Sequence, residues 1–357
     1  MSDSAPKESP GEQGPSPPGM PGKQEPTPVS KSIQSGPREP PIRLRPLGTT
    51  GLDVAELALG TWGLSGDGYG PVSNRDAEAT VRRAIELGIT LFETSDAYAK
   101  GATEALLGRL LEPHPEAQIA TRHGVDRSQK PARKRFDPAY LEGALARTLE
   151  RLRRPAVDVY LLHNPTEETL RSGELLAFLR GLKASGKVRC WGVSVGDAAS
   201  GRAALEAEAE VIEVAYNAFH AADLASLAEE IAEARAGVLA RSVLAYGLLA
   251  GLWPVTKSFP EGDHRRLRWI DAEEMATRVR QLDALRTLQG GEVFSLRGAA
   301  VRYALANHLV SAAVLGPRSV LQLEQLVREA GKGPPYLDEE KLASLPVRLA
   351  EMGIHGW

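Results

Sequence analysis

Short apolar runs alternate with helix-period stretches through most of this 357-residue chain, and that alternation restricts its fold more than any other feature. Strand-like runs fall near 56–60 and 89–92, then at AQIAT (117–121), VDVYLL (157–162), VRCWGV (188–193), VIEVA (211–215), VLARSVL (238–244) and VSAAVLG (310–316). Between them the apolar spacing predicts helices near 102–111, 137–153, 172–185, 198–208, 223–235, 271–288 and 295–307. A helix ahead of the second strand has Ala77, Val81, Ala84, Ile85 and Leu87 on one face, with Ser73-Asn74-Arg75-Asp76 able to cap it. Strict alternation implies parallel strands joined by right-handed crossovers. An open doubly wound sheet would carry a glycine-rich turn after its first strand, yet that strand runs into Gly60-Thr61-Trp62 with no GxGxxG. The expectation is therefore an α/β fold, a closed (β/α)8 TIM barrel over 42–357, entered through a small hairpin around Thr50-Gly51.

Residues 1–41 are a different material. Eleven of the 25 prolines lie there among Ser, Gly, Glu and Lys, with no aromatic residue, so the segment cannot bury enough apolar surface to offset its chain entropy and is expected to be a disordered tail. It lacks the apolar core of a signal peptide, and no later run is long enough to cross a bilayer, which points to a cytoplasmic chain with no membrane partner. A net charge of -3 offers no general attraction to nucleic acid. The lone Cys190 sits in a buried-strand pattern as an inert thiol, and the seven histidines form no HxH or HExxH pair, so no metal site is expected. Oligomeric state is left open.

In a barrel of this kind, chemistry belongs at the C-terminal ends of the strands. Polar residues gather there: Glu93-Thr94-Ser95-Asp96 with Tyr98 after the second strand, Arg122-His123 after the third, His163-Asn164 after the fourth and Ser194 after the fifth. A phenol, an imidazole, a carboxylate and a guanidinium around one cavity suit proton transfer to a carbonyl oxygen. Free tyrosine titrates near about pH 10, so it needs a neighbouring cation to act near neutrality. Arg122 can be that cation, Glu93 its anchor, and His163 a hydrogen-bond donor to the substrate oxygen. After the last strand, Gly316-Pro317-Arg318 with Ser319 as a helix cap either makes an anion site suited to phosphate or leaves the arginine merely capping a loop. The insertion from Gly247 to about Ile270 carries Trp253, Phe259 and Trp269, which either line an apolar pocket or pack the loop.

The segments LGTTGLDVAELALGTWGL, LFETSDAYAKGATEALLG, IATRHG, VDVYLLHNP, WGVSV, EVAYN, AYGLLAGL, FPEGDHR and VLGPRSVLQLEQL, in that order, resemble the aldo-keto reductase family. The resemblance implies a barrel that binds NADP(H) in extended form and reduces the carbonyl group of a small aldehyde or ketone. It assigns Tyr98 and His163 to the family's Asp, Tyr, Lys and His tetrad. Glu93 stands where the family has aspartate, and Arg122 where it has lysine. Further departures are Val195 for an asparagine, Glu213 for a glutamine and Leu326 for an asparagine near the adenine. Positions implied to hold the cofactor are Gly60, Thr61, Trp62, Ser194, Glu213, Asn217, Tyr246, Leu249, Gly316, Arg318, Gln322 and Gln325. Exchanging lysine for arginine is not conservative at an oriented site, and the departures at 93, 122, 195 and 213 together motivate a second reading, a catalytically weakened or inactive barrel that binds NADP(H), or nothing, as a sensor or interaction subunit.

Overall fold

The computed structural model describes residues 42–354 apart from 129, 269 and 270; the expected disordered tail and Trp269 lie outside the described residues. Eight parallel strands close into a barrel in sequential order. They are β1 (Leu57–Gly60), β2 (Leu91–Ser95), β3 (Gln118–His123), β4 (Val157–His163), β5 (Val188–Ser194), β6 (Val211–Ala215), β7 (Gly237–Arg241) and β8 (Val310–Leu315). Their Val, Leu and Ala content reflects burial on both faces, one toward the barrel axis and one toward the helices. No helix among the described residues is long and apolar enough to cross a membrane.

Local chemistry explains the helices. Helix Asn74–Glu86 begins where the Ser73 side chain accepts from the Asp76 amide, and it buries Ala77, Val81 and Ala84 against the barrel. Asp137, Ser172, Ser295 and Ser319 cap later helices in the same manner. The helix expected over 223–235 is two pieces, Ala222–Ser226 and Ala228–Ala234, broken at Leu227. The one expected over 271–288 is likewise divided, at Leu282. Strand β7 stops at Arg241, short of the expected 244, because Ser242 adopts φ +58° and turns the chain. A short hairpin pairing Val125–Asp126 with Arg133–Lys134 follows β3 and has no periodic signature in the sequence.

The N-terminal hairpin, Leu44–Pro46 against Asp53–Ala55, lies across the lower end of the barrel. Its Leu47, Leu52 and Val54 share one buried cluster with Leu91, Val159, Val211 and Leu239 from inside the barrel. Close approach requires Gly48: at φ +55° a β-carbon there would stand 2.4 Å from the Gly237 nitrogen. With the bottom filled, the strand ends at the top are where a site can open.

Candidate active site

Strand register brings the polar strand ends together. Gly60 is level with Glu93, Ser95 with Arg122, and His163 with Ser194, which is in turn level with Glu213. Side chains alternate along each strand, so Glu93 on β2 and Arg122 on β3 face inward. Tyr98 follows β2 on a short turn that bends back through positive φ at Ala99 and Lys100. Glu93, Tyr98, Arg122 and His163 all line one cavity of about 1010 Å³ at the C-terminal mouth.

Arg122 is its electrostatic centre. Nη2 lies 2.8 Å from Glu93 Oε1, while Nη1 donates to Glu213 Oε2 at 3.0 Å and approaches Ser194 Oγ at 3.5 Å. The Glu93 contact is a close ion pair off the hydrogen-bond axis; the aligned bond is the one to Glu213. The guanidinium carbon sits 5.3 Å from the Tyr98 ring centroid, within cation–π range. Burial raises the Glu93 carboxyl above the ordinary carboxylate range, with Arg122 opposing the rise and the like charge of Glu213 adding to it. Burial works against the Arg122 charge, but Glu213 and Glu93 more than offset it and hold its proton firmly. His163 is held well below the ordinary histidine range by burial and then by Arg122, Lys134 and Arg241, so its imidazole is neutral. Lys134 donates to the His163 carbonyl and pins the strand end from outside.

Three other polar groups at the strand ends face the helices. Thr94 meets Thr103 at 3.1 Å. His123 is 2.9 Å from Thr148 Oγ1 and stacks on Tyr160, and burial followed by Arg151 lowers its pKa to about 3. Asp96 belongs to the same outer layer: burial lifts its carboxyl to about 7, with the Glu104 charge adding. The folded chain thus holds a proton that an unfolded aspartate releases near about pH 4, so stability is fully present below that pH and is lost as pH rises through 7. Asp96→Asn is therefore expected to raise stability at pH 8 by at least about 1 kcal/mol and to leave it unchanged at pH 4. Urea melts at the two pH values measure this, and equal effects at both would refute it.

Of the positions implied to hold a cofactor, Gly60, Trp62, Tyr246, Gly316, Arg318, Gln322 and Gln325 line the cavity. Thr61, Ser194, Glu213, Asn217 and Leu249 are buried behind the lining. Asn217 is committed to the Ser242 carbonyl and the Phe219 amide. Ser319 caps helix Val320–Ala330 as expected, and Arg318 reaches over the mouth to the Gly70 and Pro71 carbonyls at 2.9 and 3.0 Å.

Three lining features escaped sequence reasoning. Arg241 ends β7, donates to the Val195 carbonyl at 2.7 Å and leaves its buried Nε without a partner. Its signal was present: an arginine inside an otherwise apolar strand run. His264 and Arg265 stand in the FPEGDHR segment; the His264 amide bonds to the Gly68 carbonyl at 2.8 Å, which ties the insertion to the loop after β1. Arg265 is clamped by Asp263 and stacks on Tyr69 and Phe259 at 4.8 and 4.5 Å. Trp253 lines the cavity, whereas Phe259 packs the loop against it, with ring centroids 5.1 Å apart.

Comparisons with known proteins agree with this architecture. The profile of the Aldo/keto reductase family matches residues 56–340. The chain is 30% identical over 303 residues to L-galactose dehydrogenase of Arabidopsis thaliana, which covers 80% of this chain and 87% of that protein. It is 28% identical over 294 residues to an aldo-keto reductase of Bacillus subtilis, covering 79% of this chain and 87% of the other. Among solved structures, a glycerol dehydrogenase from Gluconobacter oxydans superposes with a TM-score of 0.75 at 24% identity, covering 88% of this chain and 97% of that one. At that identity the superposition speaks for the fold alone.

Proposed function

The chain belongs to the aldo/keto reductase family of oxidoreductases, which use nicotinamide cofactors on small carbonyl compounds, and from that premise we propose that it reduces an aldehyde or ketone to the alcohol with NADPH as reductant and Tyr98 as proton donor. The observation that carries this reading is that Tyr98, His163 and Arg122 line a single cavity, with the guanidinium 5.3 Å from the phenol ring.

The residues present fit the cofactor. The cavity runs from Tyr98 and His163 to Gln322 and Gln325, and the buried Nε atoms of Arg241 and Arg318 have no partner among the described residues. Trp62, Tyr246 and the Gly316, Arg318, Gln322 and Gln325 segment would hold it. When bound, the nicotinamide supplies the hydride. The neutral imidazole of His163 keeps an N–H to donate to the carbonyl oxygen, which polarises the carbon toward attack. The Tyr98 hydroxyl delivers its proton to that oxygen as negative charge develops there. Arg122 then faces the phenolate, and its permanent charge lowers the cost of forming it. Trp62 and Trp253 supply apolar walls that keep water from competing for these bonds.

Titration with NADPH and NADH, followed by protein fluorescence and then by carbonyl-dependent cofactor oxidation, tests the proposal. Binding of neither cofactor would overturn it, and binding without turnover over a broad carbonyl panel would favour a sensor. Arg318 is taken to meet the phosphate that distinguishes NADPH from NADH. Arg318→Ala should therefore weaken NADPH about tenfold and NADH less, as loss of one charge-assisted contact requires. Equal weakening of the two would assign Arg318 to the mouth alone.

A further inference from the structure

The residues at 93, 122 and 213 depart from the family pattern separately in sequence and meet at one point in space. Arg122 extends between carboxylates from β2 and β6, with Glu93 Oε1 at 2.8 Å from one arm of its fork and Glu213 Oε2 at 3.0 Å from the other. All three are buried, at 2%, 7% and 0% exposure for Glu93, Arg122 and Glu213. Among the described residues the Arg122 bond is the one hydrogen bond to the Glu213 side chain, and Glu213 Oε1 has no partner. A guanidinium presents two arms in a fixed plane, one toward each carboxylate, whereas an ammonium is a single point of charge on a shorter stem. An arginine placed here with a single carboxylate would have an undirected arm; a buried glutamate at 213 facing a shorter cation would be an unpaired charge.

We propose that Glu93, Arg122 and Glu213 form one interdependent unit in which Glu213 is a positioning residue that holds the guanidinium beneath the Tyr98 ring. The three departures are then a single physical solution. Glu213 does not line the cavity, so it acts through Arg122. Arg241, at the end of the neighbouring β7, is a second cation that interacts electrostatically with both carboxyl groups. The inference deepens the reductase reading and rests on it for its kinetic measurements only.

The test is a cycle of Arg122→Lys, Glu213→Gln and the double variant in the full chain, read by thermal melting, by kcat and KM for NADPH, and by the pH dependence of kcat. Each single variant should lower kcat at least about tenfold while KM for NADPH changes less than about threefold, because the guanidinium is displaced and the cofactor contacts are not. Each should also melt several degrees below the parent. The double variant should recover much of the loss seen in Arg122→Lys, since the amide removes the carboxylate that the shorter cation leaves unpaired. In Glu213→Gln the acid limb of the kcat profile should move to lower pH, because Glu93 then shares its surroundings with Arg122, Arg241 and His163 but no second carboxylate. A purely structural residue would not move that limb, so a stationary limb overturns the proposal. So do losses in the double variant equal to the product of the single ones, or a rise in KM for NADPH with kcat unchanged. If no carbonyl is reduced, the reductase reading fails and the melting cycle alone decides: recovery in the double variant supports the unit, and additive loss overturns it.

Discussion

Tyr98→Phe is expected to lower kcat by about 1000-fold, within the range that positioned acid catalysis supplies, while leaving NADPH affinity within about threefold. The ring of residue 98 lies 5.3 Å from the Arg122 guanidinium and 6.3 Å from the Trp62 ring, stacked on it, so phenylalanine keeps the packing and deletes the hydroxyl alone. The neutral His163 beside it does not replace the lost proton donor, because burial and the adjacent cations keep its imidazole from holding a second proton. Steady-state rates on any carbonyl that the parent reduces measure the effect. An unchanged kcat would remove Tyr98 from the chemistry and shift the proton to another group.

The second large effect is on stability, in the layer between the barrel and its helices. Glu104 is fully buried on helix Ala102–Leu110 and accepts from Thr121 at 2.9 Å, from Thr148 at 3.0 Å and from two nitrogens of Arg151 at 2.8 and 2.6 Å. Arg151→Leu strands that carboxylate among hydroxyls and the neutral His123. Removing one partner of a buried pair costs about 3 kcal/mol or more, which corresponds to a fall in melting temperature of roughly 6 °C for a chain of this size. Adding Glu104→Gln to Arg151→Leu should recover part of the loss, since the stranded charge is gone. Urea unfolding of the two variants compares them directly, and an equal or greater loss in the double variant would refute the account.

Much of the barrel was legible because strand and helix periods differ sharply and turn residues punctuate them. The run VIEVA coincides with β6 to the residue, and the caps at Ser73 and Ser319 stand where short hydroxyl side chains precede apolar spacing. Gathering Glu93, Tyr98, Arg122 and His163 at one mouth followed from placing strand ends on a common rim. Side-chain parity was less legible. Thr94, Asp96 and His123 are as polar as their neighbours, but the pleat turns them toward the helices, and counting outward by twos from Glu93 and Arg122 would have separated Thr94 and His123. The splits at Leu227 and Leu282 carry no glycine or proline, the residues by which a break is read from sequence. The bond from Arg122 to Glu213 and the Arg265 stack on Tyr69 were not legible, because each joins residues far apart in the chain through geometry that only closure of the sheet creates.

The hairpin beneath the barrel has a bearing on the order of events above it. Leu47, Leu52 and Val54 stopper the lower end with apolar side chains, so molecules entering from solvent share one doorway at the opposite rim. On the proposed reading, a reductant held along the Gly316–Gln325 segment and a carbonyl compound beside Tyr98 would both pass through that doorway. Arrivals and departures would then contend for the same opening, a constraint set by a plug that touches neither molecule.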